Sequence, residues 1–367
     1  MSVAHFCGLA FAVFVSASRL HAADENHVPK PGQFPPADAG KRLAGELVSV
    51  DHINRRGALR LDGDGSEDTY HSAPSHQFAM LPFGAIWFHG SPAELRDIPI
   101  GTHLHGQFLL PPDGDTSIPK PAKSRAQQTH ALLLEDDFTF QQRQKRAWKI
   151  QSVDIAKSRL TAKDPASAKD TVFTLDRSTR VWKGRAAAEL EDLAPEQTVQ
   201  CNFTWAPDWQ NGQMHIADVW LDDEARALAT ERQRRQHIRH EQHRWLPGWV
   251  DHVAHEPGGS GIVTLTLFGG KDAALYDDVR KAKHFAAAAA EPTLRTWWHH
   301  HDKKDGDLVE LKDLPAPPPG SSGLQLRLKF RELLEGYRPG AIIRLRPPNW
   351  PNVKLPPEER IQRMSER

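Results

Sequence analysis

A repeat with a spacing of 95 residues is the feature that most restricts how this chain can fold. Residues 87–113 read WFHGSPAELRDIPIGTHLHGQFLLPPD, and residues 182–208 read WKGRAAAELEDLAPEQTVQCNFTWAPD. Because 367 residues exceed the usual size of one domain, the repeat predicts several copies of one small module. Without a gap, the two segments share the pairs Trp87/Trp182, Ala93/Ala188, Glu94/Glu189, Leu95/Leu190, Asp97/Asp192, Phe108/Phe203, Pro112/Pro207 and Asp113/Asp208.

The segments around the repeat predict the strand order of each copy. In the first copy, AGELVSVDHI and GALRLDG alternate apolar and polar residues, which is typical of half-buried strands. Three further strands follow, with the short helix SPAELRDI between the first and second of them. The second copy repeats this order, which is that of the five-stranded OB-type barrel with a helix closing one end. The predicted fold is mainly β with connecting helices, in tandem OB-like barrels.

A third, divergent copy begins at GWVDHV, with GIVTLTLFGG as its second strand. RELLEGYRPGAIIRLRPPNW predicts the helix, turn and fourth strand of this copy. Between them lies an insertion that predicts a helix (AALYDDVRKAKHFAAAAAE), a strand (TLRTWW) and a loop (HHHDKKDGD). Two interpretations stay open, since the third barrel either is open or takes its closing strand from the insertion.

Polar helices are predicted to join the barrels. DDEARALATERQRRQHIRHEQHRW contains strong helix formers with acids at its start, and its thin apolar stripe predicts a mostly solvated spacer. The predicted organisation is a signal peptide (1–22), a disordered lead-in (23–40), module 1 (41–137), a connector (138–146), module 2 (147–223), a helical linker (224–245), module 3 with its insertion (246–351) and a C-terminal tail (352–367).

The apolar run FCGLAFAVFV has the length of a signal peptide and is too short to span a bilayer. We expect cleavage after Ala22 and export to the periplasm or the outside of the cell, with a retained N-terminal tether as the alternative. The mature chain would then have no transmembrane segment. Cys201 would be its only cysteine, which excludes an intramolecular disulfide, and its apolar surroundings predict a buried, inert thiol.

This organisation resembles the tandem OB-like β-barrel modules of uncharacterised exported bacterial proteins. The resemblance rests on GELVSVD and IQSVD in the first strands, and on AELRDIPIGTHL and AELEDLAPEQTV further on. The second copy has Glu196 and Gln197 where the turn glycine is expected. The resemblance covers residues 41–223 and, more weakly, 247–351. It implies an envelope location and a binding or scaffolding role toward an unknown envelope protein or polymer, but no reaction.

The charge balance and the absence of common catalytic and nucleotide-binding motifs argue against several classes of function. Lys and Arg (47) equal Asp and Glu (47), so no overall field favours nucleic acid or an acidic membrane. The chain has no phosphate-binding glycine motif, no G-x-S-x-G and no H-E-x-x-H. We therefore expect an exported, non-enzymatic binding or scaffolding protein without a cofactor.

Two alternatives start from particular side chains. A metal-binding protein or metal-dependent enzyme would use the His-rich loop of module 3, whose candidate ligands are His299, His300, His301 and Asp302. His237, His240 and His243 share about a third of the linker-helix circumference, where a solvated basic face competes with a metal site.

The other alternative is the binding of oligosaccharide or nucleic acid by exposed aromatic side chains, as on other OB barrels. Trp87 and Trp182 stand next to the predicted short helix, so we expect them in the barrel cores. The candidate ligand-binding residues are Trp205, Trp209, Trp297, Trp298 and Trp350.

Overall fold

The structure is a computed structural model that describes residues 25–62, 75–118, 128–164, 169–205, 214–289 and 303–352. Its described part is mainly β, with three small closed barrels and three α-helices, as the sequence predicts. No helix among the described residues is long and apolar enough to cross a membrane.

Module 1 is a five-stranded barrel with one extra hairpin strand. In chain order its strands are β1 (Lys41–Asp51), β2 (Arg56–Leu61), β3 (His76–Phe88), β4 (Ser91–Ala93), β5 (His103–Leu109) and β6 (Gln128–Asp136). The barrel closes because β2 pairs with both β1 and β3, while β6 lies parallel to β3 and antiparallel to β5. Its core contains Leu47, Leu59, Phe78, Ile86, Leu104 and Leu134.

Module 2 repeats this topology after helix α1 (Asp137–Arg143). Its strands are β7 (Trp148–Asp154), β8 (Arg159–Lys163), β9 (Asp170–Thr174), β10 (Arg180–Lys183), β11 (Ala186–Ala188), β12 (Thr198–Trp205) and β13 (Met214–Trp220). Here β9 and β10 together take the place of the single long strand β3, and both pair in parallel with β13. Cys201 lies buried in this core, as predicted.

Module 3 is a closed barrel of six strands, which decides between the two interpretations of its insertion. After helix α2 (Asp223–Arg244) come β14 (Leu246–His255), β15 (Gly261–Phe268), α3 (Ala273–Lys281), β16 (His284–Ala289), β17 (Lys303–Asp313), β18 (Ser321–Phe330) and β19 (Ile342–Arg346). The insertion closes the barrel, because β16 pairs with both β17 and β19.

Three local predictions for module 3 are wrong. The alanine run 286–289 forms strand rather than helix, because two neighbouring strands supply its hydrogen bonds and outweigh the helix propensity of alanine. Residues 303–307 of the predicted loop begin β17. The predicted helix before the fourth strand is an irregular turn over residues 331–341. The predicted strand TLRTWW lies outside the described residues.

All three barrels share one turn before the fourth strand of the repeat. In every copy, a residue of positive φ in this turn donates its N–H to the carbonyl of a first-strand residue at 2.8 Å. The residue after it accepts the N–H of that same first-strand residue at 2.9 Å. Glycine adopts this left-handed conformation at little cost, whereas Glu196 does so at φ 69°. The residues of positive φ are Gly101, Glu196 and Gly340, and their first-strand partners are Leu47, Ile150 and Val250.

The repeated AEL-x-D segment is a short strand and a single 3₁₀ turn, not the predicted barrel-closing α-helix. Leu95 of module 1 enters the core, and the N–H of Glu94 donates to the Asp97 carboxylate at 2.9 Å. The same bond joins Glu189 and Asp192 in module 2 at 3.1 Å. The shared residues of the repeat therefore specify this local turn.

The prediction that Trp87 and Trp182 lie in the barrel cores is wrong. Each follows a core residue, Ile86 or Val181, so the alternation of a strand directs its side chain to the outer face. Both tryptophans are half-buried there. The Trp182 indole donates to Asp218 at 2.9 Å, and its ring packs beside helices α1 and α2.

Module 3 packs directly against module 1 through a second apolar cluster. Phe83, on the outer face of β3, has ring contacts of 6.0–6.1 Å with Phe268 and Trp249 of module 3. The predicted disorder of the lead-in is wrong for its described residues, 25–40, because they are packed in part against this interface. Phe34 contacts the Phe83 ring at 5.3 Å, and Ala39 is completely buried.

Helix α2 is an interface element rather than the predicted solvated spacer. Every fourth residue forms a covered stripe that is apolar at its start and polar at its end: Ala225, Ala229, Gln233, His237 and Glu241. Gln233 donates to the carboxylate of Asp97 in module 1 at 3.1 Å. Near the helix end, Lys271 of module 3 bridges Glu241 and Glu94 at 3.1 and 2.8 Å. Polar partners therefore cover a face that hydropathy alone predicts to be wet.

An aspartate at the end of the last strand, or just after it, caps the connector helix in both repeats. The Asp136 carboxylate accepts the N–H of Thr139 at 2.9 Å and that of His89 at 3.0 Å. Asp222 does the same with the N–H groups of Ala225 and Gly184, both at 2.8 Å. His89 and Gly184 occupy the same repeat position and share a positive φ of 52° and 54°. The aspartate thus fixes each helix to the preceding hairpin turn.

Asp136→Asn is expected to destabilise the protein by about 2–4 kcal/mol, because the new amide N–H₂ must face buried N–H donors. The matched Asp222→Asn variant should cost only about 1 kcal/mol, since that cap is partly exposed. Urea unfolding followed by circular dichroism measures both. Equal losses of unfolding free energy in the two variants would contradict the larger contribution expected of the buried Asp136 cap.

The buried His76 should make stability depend on pH. Burial, helped by the charge of Lys41, lowers the pKa of His76 to about 4. A neutral buried histidine stabilises the fold fully above its unfolded pKa of about 6.5, and this contribution is lost as the pH falls through 4. The free-energy advantage of wild type over His76→Gln should therefore shrink by up to about 3 kcal/mol between pH 6.5 and 4.

Urea unfolding of wild type and His76→Gln at several pH values measures this change. Glutamine can keep the 2.7 Å contact that His76 makes with the Thr129 hydroxyl, so it isolates the titration. His252→Gln, at an exposed histidine of β14, is the control and should run parallel to wild type. A His76→Gln profile parallel to wild type would show that His76 does not titrate in this range.

Candidate functional site

Most of the site residues predicted from sequence lie outside the described part of the chain. This holds for Trp209, Trp297, Trp298, His299, His300, His301, Asp302 and the side chain of Trp205. Trp350 is described and is 2% exposed, with its indole donating to Asp278 at 2.8 Å. The expectation that Trp350 offers an exposed stacking surface is therefore wrong, because its ring completes the module 3 core.

The histidines of helix α2 do not converge on a cation site. His237 is 1% exposed, and burial lowers its pKa. It lies one turn before Glu241, whose carboxylate pairs with the Lys271 ammonium. The ammonium already supplies a positive charge beside Glu241, which disfavours a metal ion there. The predicted solvated face is also wrong for His237.

A different group of histidines and carboxylates converges where modules 1 and 2 meet. His103 and His105 are two residues apart on β5, so both project from the same face of the strand. Asp137, the first residue of α1, receives them on one carboxylate oxygen. His103 Nδ1 lies 2.8 Å from Asp137 Oδ1, and His105 Nε2 lies 2.9 Å from the same oxygen.

Neighbouring groups hold all three side chains in place. The second oxygen of Asp137 accepts the backbone N–H of Phe203, in module 2, at 3.0 Å. His103 Nε2 lies 3.1 Å from the Asp62 carboxylate. The His105 ring stacks on Phe140 of α1 with a centroid distance of 3.9 Å. The centre therefore joins β5 and the residue that follows β2 in module 1, helix α1, and strand β12 of module 2.

The electrostatics of the centre follow from two carboxylates around one buried ring. Burial alone would lower the pKa of His103, but Asp137 and Asp62 outweigh it and raise the pKa to about 10. Burial would raise the pKa of Asp137, yet His103 and His105 hold it well below its usual range. The same nitrogen and oxygen atoms can share protons, as they do without a metal, or bind a cation that prefers mixed N and O ligands.

The sequence contained only part of the signal for this centre. His103-x-His105 within THLHGQFLL has the period-two spacing that puts two side chains on one strand face. Asp137 and Asp62 could not be assigned to them, because their proximity depends on where α1 begins and on how β2 ends beside β1. His103 and His105 received no role from sequence reasoning, which considered only the His-rich helix and loop.

The described cysteine gives no competing site. Cys201 is fully buried, and burial raises the pKa of its thiol, so the inert character predicted from sequence agrees with its environment. No family model, curated protein or solved structure matches this chain. The candidate site therefore rests on its own geometry.

His103→Gln should destabilise the metal-free protein by about 3 kcal/mol, since a neutral amide would replace the imidazole that compensates the buried Asp137 carboxylate. Urea unfolding in the presence of a chelator measures this loss. His130→Gln is the matched control, because His130 contacts a single carboxylate, that of Asp115, at 2.5 Å. It should cost about 1 kcal/mol. A smaller loss for His103→Gln than for His130→Gln would contradict the bridging role.

Proposed function

We propose that the protein is an exported, non-enzymatic scaffolding protein of the cell envelope that keeps bound partners at a set spacing. The observation that carries this proposal is that module 1 packs directly against both other modules. A chain that only linked independent binding domains would not need such direct contacts between them. The partner is an envelope protein or polymer whose identity the chain does not specify.

The two junctions support a rigid scaffold in different ways. Modules 1 and 3 share the apolar cluster around Phe83, and such close-packed contacts resist bending. The ion pairs of Lys271 with Glu94 and Glu241 fix the same junction in register, because all three side chains are largely buried. Modules 1 and 2 are joined by the Asp136 and Asp137 hydrogen bonds to module 2 backbone and side-chain groups.

The engagement of the reactive side chains supports a non-enzymatic role. His103 is held between two carboxylates, and the Cys201 thiol is buried. Among the tryptophan side chains that the structure describes, none is exposed. The oligosaccharide or nucleic-acid alternative therefore depends on Trp205, Trp209, Trp297 and Trp298. The alternative metal site in module 3 depends likewise on residues 299–302.

Small-angle X-ray scattering of residues 23–367 tests the rigid scaffold. A compact chain of this size has a radius of gyration of roughly 20 Å, whereas three barrels on free linkers would give a clearly larger value. Phe83→Arg should increase the radius, because it puts a charge into the interface between modules 1 and 3 without touching the module 1 core. Circular dichroism checks that the barrels remain folded.

The control for this experiment is Val309→Arg, which puts the same charge on a half-exposed position of β17. It should leave the radius of gyration unchanged. An extended wild-type chain, or a Phe83→Arg chain as compact as wild type, would refute the rigid arrangement. Cell fractionation tests export separately, since the full chain should reach the envelope and a chain lacking residues 2–22 should remain in the cytoplasm.

A further inference from the structure

We propose that His103, His105 and Asp137 bind one divalent transition-metal ion, with Zn²⁺ as the best match, at the junction of modules 1 and 2. The donor atoms are two imidazole nitrogens and one carboxylate oxygen, all within 4.8 Å of one another. Zinc sites that keep an open position use three such protein ligands and a water molecule. Cu²⁺, Ni²⁺ and Co²⁺ also bind imidazole nitrogen and carboxylate oxygen, so they belong to the same class of ion.

The spacing of the donor atoms fits a tetrahedral ion after a small adjustment. Metal–ligand bonds of about 2.0–2.2 Å imply separations of roughly 3.3 Å between neighbouring donor atoms. The two histidine nitrogens now lie 2.8 and 2.9 Å from Asp137 Oδ1. Each of these two pairs therefore needs to separate by only about 0.5 Å, while the two histidine nitrogens, which lie within 4.8 Å of each other, need to reach the same separation. The His105 side chain is 24% exposed, which gives the ion a route in from solvent.

The groups around the three ligands are those that orient metal ligands in proteins. Ligating histidines commonly donate their far N–H to a carboxylate, and the far nitrogen of His103 faces Asp62 at 3.1 Å. The Phe203 N–H holds the second oxygen of Asp137, which directs Oδ1 to the histidines. The His130–Asp115 pair in the same module has one histidine and one carboxylate, so it lacks a third ligand.

Charge balance also favours a divalent ion. Two carboxylates, those of Asp137 and Asp62, face the centre, and a divalent cation with neutral histidines would neutralise both. The ion would replace the protons that the histidine nitrogens now share with Asp137, so its binding would release protons to solvent. Because Asp137 also bonds to module 2, the ion would tighten the junction between the two modules.

Titration calorimetry of the tag-free mature chain, first stripped with a chelator, tests this proposal. Zn²⁺ should bind with a stoichiometry of one per chain and raise the melting temperature, since a ligand of the native state stabilises it. His105→Gln should weaken binding by at least about tenfold while the protein stays folded, because glutamine can still donate to Asp137. His130→Gln is the matched control and should bind as wild type does.

Co²⁺ substitution adds a readout of the coordination itself. Tetrahedral Co²⁺ with these ligands should give visible absorption bands that His105→Gln removes and His130→Gln retains. A variant with His299, His300 and His301 all changed to Gln separates this centre from the His-rich insertion, and it should keep the bands. Absence of a stoichiometric ion, full binding by His105→Gln, or loss of binding only in the triple variant would each overturn the proposal. None of these outcomes bears on the rigid scaffold, which the scattering experiment tests.

Discussion

A single buried carboxylate, that of Asp136, fixes how the chain leaves its first barrel. It is completely buried and accepts N–H groups from three parts of the chain: the hairpin turn at His89, the first turn of α1 at Thr139, and the side chain of Asn202 in module 2. Because this cap sets the start of α1, it also places Asp137 beside the histidines of β5. The module 1–2 junction and the candidate metal centre both depend on it.

The repeat uses the same cap twice but with helices of different length. Helix α1 has 7 residues and ends beside module 2, whereas α2 has 22 residues and is about 33 Å long. The longer helix runs back across the β4 hairpin of module 1, and module 3, which follows it, packs against the outer face of β3. Module 1 consequently contacts both neighbours, so helix length converts a linear repeat into a compact assembly.

The sequence predicts strands and their order well, because alternation within a strand is a local property. It predicts interfaces poorly, because a pattern shows which face is apolar but not what covers it. Phe83 belongs to the almost entirely apolar run of β3, whose outer face is covered only once module 3 has folded. Conversely, Gln233 and Glu241 are polar but buried, because each has a polar partner that is distant in sequence. Gln233 donates to Asp97, more than a hundred residues away, and Glu241 pairs with Lys271, some thirty residues away. The same limit applies to the candidate site, where only the His-x-His spacing is local.

The two junctions of module 1 differ in what they need in order to be rigid. The junction with module 3 combines aromatic packing with ion pairs that balance one another. Lys271 pairs with both Glu94 and Glu241, and Arg55 lies 3.5 Å from Glu94, so two cations face two carboxylates and the junction is complete within the chain. The junction with module 2 buries the Asp137 carboxylate beside His103, and a buried carboxylate is costly unless a cation compensates it. A divalent ion would supply that compensation more fully than protons do. Ion binding would therefore stiffen the attachment of module 2 while leaving that of module 3 unchanged, so the proposed scaffold would have one permanent and one adjustable joint.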